Sequence, residues 1–260
     1  MQGYETMHGM FPPSELESVR GGGWSTNRVS GFAFLLPHLE LVPLYDAINM
    51  SFAHIDGPDY PILENRTARR TVVASFLCPS DGVKDCRISY RFNHGRLVSG
   101  RPLPFDGPFG IGVTPSAAAI RDGLTRTAFV SERIGGSFVA GSAQPARDVK
   151  FPAASPQPLL SDEEFIPYCL AAPAAQWEVK SGRYWLYNDI IDTGYNHNGT
   201  PNDRRPTCSG AVWKGSGFHP PRSHHPGRVN VLFGDGHVEA VADSIAPGVW
   251  SALGTYDAGD

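Results

Sequence analysis

Residues 224–241 read HHPGRVNVLFGDGHVEAV, and this stretch decides the fold. Val229, Val231 and Phe233 recur at every second position, the period of a strand with one buried face. Gly234-Asp235-Gly236 follows, a strong hairpin turn in which glycine takes positive φ without steric cost. His237–Val241 returns as the second strand. Val229, Val231, Phe233 and Val238 are expected on one buried face. Trp250 and Leu253 then read as a terminal turn packing back on the body.

Working outward, Thr71–Leu77 is a β-branched run ending at the Cys78-Pro79-Ser80-Asp81-Gly82 turn, and it predicts a strand. Further strands are predicted at Arg87–Phe92, Thr127–Val130 and Tyr184–Ile191. The first ten residues read as the end of a helix closed by Gly9 and stopped by Pro12-Pro13. Residues 31–48 show helical spacing, cut into short pieces by Pro37 and Pro43. Ala117–Asp122 reads as a helical turn ended by Gly123. Gly (29) and Pro (23) load the chain with turns. Residues 135–165 and 194–227 read as loop-rich insertions. The expected architecture is α+β: one domain over residues 1–260, with an N-terminal helix remnant packed on an antiparallel sheet. Residues 223–260 form its closing hairpin region.

Composition excludes several classes. The chain is 41% hydrophobic and 18% charged with a net charge of −4, so it lacks the signature of disorder. Lysine and arginine form no run beyond Arg69-Arg70 and Arg204-Arg205, so a nucleic-acid partner is not expected. No stretch approaches the roughly 20 apolar residues that span a bilayer. MQGYETMHGMFPP has no basic start and no apolar core, so it does not read as a signal peptide.

The four cysteines, Cys78, Cys86, Cys169 and Cys208, fit two disulfides and an oxidising compartment. The Ser80-Asp81-Gly82 turn favours Cys78–Cys86 among the three pairings, with Cys169–Cys208 as the other bridge. No Cys-x2-4-Cys pair marks zinc. If an ion is bound, calcium in the oxygen-rich loop near Asp81 or Asp85 is the expectation. No other cofactor is implied.

Catalytic signatures are absent from the sequence. There is no Gly-x-Ser-x-Gly elbow, no phosphate-binding glycine loop and no His-Glu-x-x-His. His197, His219, His224, His225 and His237 fall in the last quarter, among Asp189, Asp192, Asp203 and Asp235. Without ligand spacing they read as surface and hydrogen-bonding histidines. His225 and Asp235 are separated by an extended strand, which sets them on the order of 25–30 Å apart at about 3.3 Å per residue. A proton relay needs about 3 Å. His225 is therefore expected to hydrogen-bond locally at the strand base, and Asp235-Gly236 to make the turn.

The stretch from Ser223 to Val238, with Asn230 between His225 and Asp235-Gly236, resembles the C-terminal His-x9-Asp-Gly signature of a large planctomycete family. That family is the prepilin-like proteins known as domain-of-unknown-function family 1559. Other blocks are similar in the same order: Tyr4 through Gly9-Met10-Phe11-Pro12-Pro13, Leu35-Leu36-Pro37-His38-Leu39-Glu40, and Pro43-Leu44-Tyr45-Asp46-Ala47-Ile48-Asn49. They continue with Cys78-Pro79-Ser80-Asp81, Ile120-Arg121-Asp122-Gly123 with Ser131-Glu132, Pro201-Asn202 with Cys208, and Trp250-x-x-Leu253-Gly254. The resemblance implies a pilin-like fold. Family members begin with a type IV prepilin leader and a long hydrophobic helix, and the sequence starts where that helix would end. The resemblance therefore implies either such a helix upstream of Met1, with export and tethering, or a natural protein that lacks it. Relatives among the pseudopilins add weight to calcium.

The function these readings imply is a non-catalytic extracytoplasmic surface protein, a pilin- or pseudopilin-like subunit whose partners are similar subunits or copies of itself. A second class is a module for extracellular glycans, using Trp177, Trp185, Tyr187 and Trp213 on the long loops. A third is a metal-dependent hydrolase built on the late histidines.

Overall fold

The computed structural model describes residues 1–17, 28–51, 56–57, 60–61, 64–82, 85, 87–96, 105–110, 113–153, 162–209 and 217–259. Their helices are α1 (Gln2–His8), α2 (Phe32–Leu35), α3 (Val42–Asp46), α4 (Arg66–Arg70), α5 (Asp162–Ala171) and α6 (Pro247–Ala252). Gly9 closes α1 in the left-handed region, φ 72°, as its position predicts. Two ribbons, β1 (Glu15–Glu17) with β2 (Arg28–Ser30) and β3 (Asp56–Gly57) with β4 (Tyr60–Pro61), precede the main sheets.

The first sheet contains β5 (Tyr90–Asn93) and β6 (Ala128–Glu132). The second contains β7 (Val149–Pro152) and β8 (Ala174–Glu178). Then β9 (Gly194–Tyr195) returns to the first, and β10 (Thr207–Ser209) and β11 (Gly217–Phe218) complete the second. Last come β12 (Arg228–Phe233) and β13 (Val238–Ala242), the terminal hairpin. The five-stranded order is β13-β12-β6-β5-β9 and the four-stranded order β11-β10-β7-β8. The expected α+β class holds. Both sheets are mixed, because β9 joins β5, and β10 joins β7, in parallel.

Aromatic packing fills the main core. Phe92 stacks on Phe109 at 4.6 Å, and Phe109 meets Phe129 edge-on at 5.0 Å. Such pairs add to area burial through the ring quadrupoles. Val229, Val231, Phe233, Tyr195 and Trp250 form a second cluster against the hairpin.

Several elements differ from expectation. Ala74–Phe76 is a 3-10 turn, not a strand. Val73 and Phe76 are both buried, and a 3-10 turn eclipses positions three apart, whereas a strand would send them to opposite faces. Tyr184–Ile191 forms no strand, and residues 184–190 within it are buried throughout. Consecutive burial there leaves no polar face, and Asp189 turns the chain by accepting from Ile191 N–H at 3.0 Å. Residues 194–227 hold β9, β10 and β11 and supply buried Tyr195, His197, Phe218 and His219. Val238 is 65% exposed. The register pairs Leu232 with Val238 and Val229 with Val241, so Val241, not Val238, joins the buried face.

Candidate functional site

Three segments converge where β6 meets the base of the terminal hairpin. Cys78 precedes the 3-10 turn Pro79–Asp81, which Gly82 closes at φ 70°. Glu132 is the last residue of β6, and its carbonyl accepts from Arg222 N–H at 2.9 Å. His225 stands in the turn before β12. Its backbone N–H donates to Ser223 Oγ at 3.0 Å, and that hydroxyl donates to Arg228 O at 2.7 Å.

The side chains close on one nitrogen. His225 Nε2 lies 3.1 Å from Glu132 Oε1 and 3.6 Å from Cys78 Sγ. All three ligand atoms are within 4.8 Å of one another. Glu132 Oε2 accepts from Asn230 N–H on β12 at 2.8 Å, which fixes the carboxylate. Cys78 and Glu132 are buried and His225 is half-buried. Burial holds the Cys78 thiol above its ordinary pKa, and its hydrogen bond to Glu132 adds to this. Burial likewise pushes Tyr90 up to about 12, with Cys78 and Glu132 contributing.

A second acid stands beside the first. Asp81 Oδ2 accepts from Ser89 Oγ at 3.1 Å and Gly135 N–H at 3.2 Å. Asp81 Oδ1 pairs with Arg147 at 3.1 Å and faces His224 Nε2 at 3.5 Å. The adjacent histidines thus serve different carboxylates. Cys78, Asp81, Glu132, Arg222 and His224 border a small recess of about 10 Å³, space for one water-sized particle.

This geometry limits the chemistry. In a cysteine–histidine–acid relay the acid orients the imidazole through the nitrogen that does not face the nucleophile. Here thiol and carboxylate address the same nitrogen. The arrangement is a convergent donor set of sulfur, nitrogen and oxygen, suited to a cation.

The expected site residues are distributed as follows. Cys169 and Cys208 form a disulfide between α5 and β10, as expected. Cys78 carries a free thiol, so the Cys78–Cys86 bridge is corrected: Cys78 Sγ turns toward His225 and Glu132, and Cys86 lies outside the described residues. Asp81 and Asp85 have different partners, Arg147 for Asp81 at 3.1 Å and Arg87 for Asp85 at 2.7 Å. Asp235 and His225 have different partners. Asp235 Oδ1 holds His237, 2.6 Å from its Nδ1, and Gly236 makes the turn at φ 96°. The side-chain partner of His225 is long-range, on β6, rather than local. His197 and His219 are buried rather than on the surface. Trp185 and Tyr187 are buried, Trp177 is half-buried, and Trp213 lies outside the described residues.

Glu132 was legible only as half of the Ser131-Glu132 block. Its signal was an acid closing a strand, Ala128–Glu132, every residue of which is buried. A buried carboxylate requires partners. Among the described residues, no helix is long and apolar enough to cross a membrane.

One family model matches residues 1–248, that of a protein of unknown function (DUF1559). No curated protein and no solved structure matches the chain. The blocks that carry the family resemblance supply the donor set: Cys78 from Cys-Pro-Ser-Asp, Glu132 from Ser-Glu and His225 from His-x9-Asp-Gly.

Proposed function

The chain belongs to the DUF1559 family, and from that premise we propose that it is a non-catalytic extracytoplasmic surface protein, a pilin- or pseudopilin-like subunit. The observation that carries this reading is the buried Cys169–Cys208 disulfide, which ties α5 to the four-stranded sheet. Structural disulfides form and persist in oxidising compartments. The position of α1 supports it too: the Gln2 side chain donates to Gly234 O, so the first helix rests on the terminal hairpin. A helix continuing upstream would then transmit its position to the sheet. The partners in this reading are similar subunits or copies of the same chain.

Surface labelling of intact cells with a membrane-impermeant reagent tests the proposal, combined with cross-linking to identify neighbours. Labelled protein cross-linked to pilin-like chains or to itself is expected. Protein that is protected in intact cells, labelled only after lysis and fully reduced, would refute it.

A further inference from the structure

We infer that Cys78, Glu132 and His225 form a three-ligand site for a single zinc ion. This goes beyond the surface-protein reading and does not depend on it.

The distances carry the inference. Zinc takes thiolate sulfur at about 2.3 Å, imidazole nitrogen at about 2.0–2.1 Å and carboxylate oxygen at about 2.0–2.2 Å, in a tetrahedron. The edges of such a tetrahedron are about 3.6 Å from sulfur to nitrogen and about 3.3 Å from nitrogen to oxygen. The corresponding separations here are 3.6 Å and 3.1 Å. The third edge, from sulfur to oxygen, is about 3.6 Å in such a tetrahedron, and here the Cys78 and Glu132 ligand atoms lie within 4.8 Å.

Charge and ligand chemistry select the ion. Thiolate and carboxylate together match a divalent cation, and the Glu132 carboxylate disfavours an anion. Sulfur and nitrogen donors exclude calcium and magnesium, which take oxygen, and a mixed sulfur, nitrogen and oxygen set suits zinc. Binding displaces the thiol proton to solvent, and the imidazole offers the Nε2 lone pair with its own proton on Nδ1. The Asn230 N–H on Glu132 Oε2 is the outer partner that orients the carboxylate. Two of the ligands, Cys78 and Glu132, border the recess. Three protein ligands with one open position characterise sites that exchange a water or a donor group, rather than closed structural ones. Spacing within the sequence did not reveal the set, because its members come from three distant segments.

The test is cobalt(II) titration of metal-free protein with the Cys169–Cys208 disulfide intact. One equivalent should produce a thiolate-to-cobalt charge-transfer band and the d–d intensity of a tetrahedral ion, both abolished by zinc. Cys78→Ser should remove the charge-transfer band. Cys78→Ser and His225→Gln should each weaken zinc by at least the roughly tenfold that loss of an outer partner costs. His237→Ala, at the hairpin tip, should leave binding unchanged. A titration without the thiolate band, or zinc affinity that survives both ligand variants, overturns the site. If a variant fails to fold, alkylation of Cys78 in the unaltered protein, followed by peptide mapping, decides instead. Zinc should slow the reaction at Cys78, and equal rates with and without zinc overturn the proposal.

Discussion

Glu132 on β6 and His225 at the base of the terminal hairpin meet at 3.1 Å across 93 residues of chain. Glu132 is 2% exposed, so its carboxylate depends on the Asn230 N–H and the imidazole. His225→Ala should therefore cost about 1–3 kcal/mol, the penalty for leaving a buried acceptor under-satisfied. Glu132→Ala should cost at least as much, and Glu132→Gln less, because the amide oxygen still accepts from Asn230. Urea unfolding in chelator-treated buffer measures all three. A His225→Ala protein as stable as the parent would mean that the contact does not hold the hairpin.

Gly236 turns the hairpin at φ 96°, and a Cβ there would meet only Gln2 at an ordinary 3.4 Å. Strain at this position is thus conformational rather than steric. Gly236→Val should lower stability by about 1–2 kcal/mol. Gly248→Ala is the contrast: it lies in α6, and its Cβ would meet nothing within 4 Å. That change should be neutral or slightly stabilising, since alanine is the better helix former. Equal melting temperatures for Gly236→Val and the parent would argue against the turn geometry.

The Cys169–Cys208 bridge spans a sequence separation of 39. Closing a loop of that length restricts the unfolded chain by about 4 kcal/mol in the chain-entropy account, within a usual range of about 2–4. A Cys169→Ala, Cys208→Ala double variant should lose about that much. Mass spectrometry of the non-reduced protein should find these two cysteines linked and Cys78 alkylatable after denaturation. A Cys78–Cys86 linkage in that experiment would contradict the free thiol.

The terminal hairpin, β5 and β6 were legible because each carries a period-two pattern or a β-branched run long enough to register. The face of Val238 was not, because parity across a turn depends on which residues pair, and only the Leu232–Val238 register decides that. The strands within 194–227 are two or three residues long, too short for periodicity, and they form because buried Tyr195, Cys208 and Phe218 need partners. The donor set was legible in pieces. Cys78, Glu132 and His225 each stood in a block read as a marker, yet ligand spacing is sought locally, and this set is assembled by β6 running beside β12.

His197 is buried with both ring nitrogens engaged: Nδ1–H donates to Trp250 O at 2.7 Å, and Nε2 accepts from Tyr195 O–H at 2.9 Å. It also stacks on Trp250 at 3.9 Å. Burial lowers its pKa to about 3, and burial with Arg133 and Arg91 nearby holds His219 well below its ordinary value. In the unfolded chain both histidines take protons near pH 6.5, while the folded protein keeps His197 neutral down to about pH 3. Their contribution to stability is complete above pH 6.5. It falls as pH descends, each histidine contributing a slope of about 1.4 kcal/mol per unit. Asp192 acts oppositely: burial raises it to about 6, so its cost to the folded state is present above that pH and is relieved as pH falls toward the ordinary carboxylate value. Between pH 6 and 4 Asp192 offsets one histidine, and the second leaves a net decline that steepens below pH 4. His197→Gln should therefore flatten the dependence of unfolding free energy on pH between 6.5 and 4, and Asp192→Asn should steepen it. Stability slopes, rather than absolute stabilities, are the measure, because either variant also perturbs packing. Parallel pH curves for His197→Gln and the parent would show that this histidine titrates alike in the folded and unfolded chains, against its burial beneath Trp250.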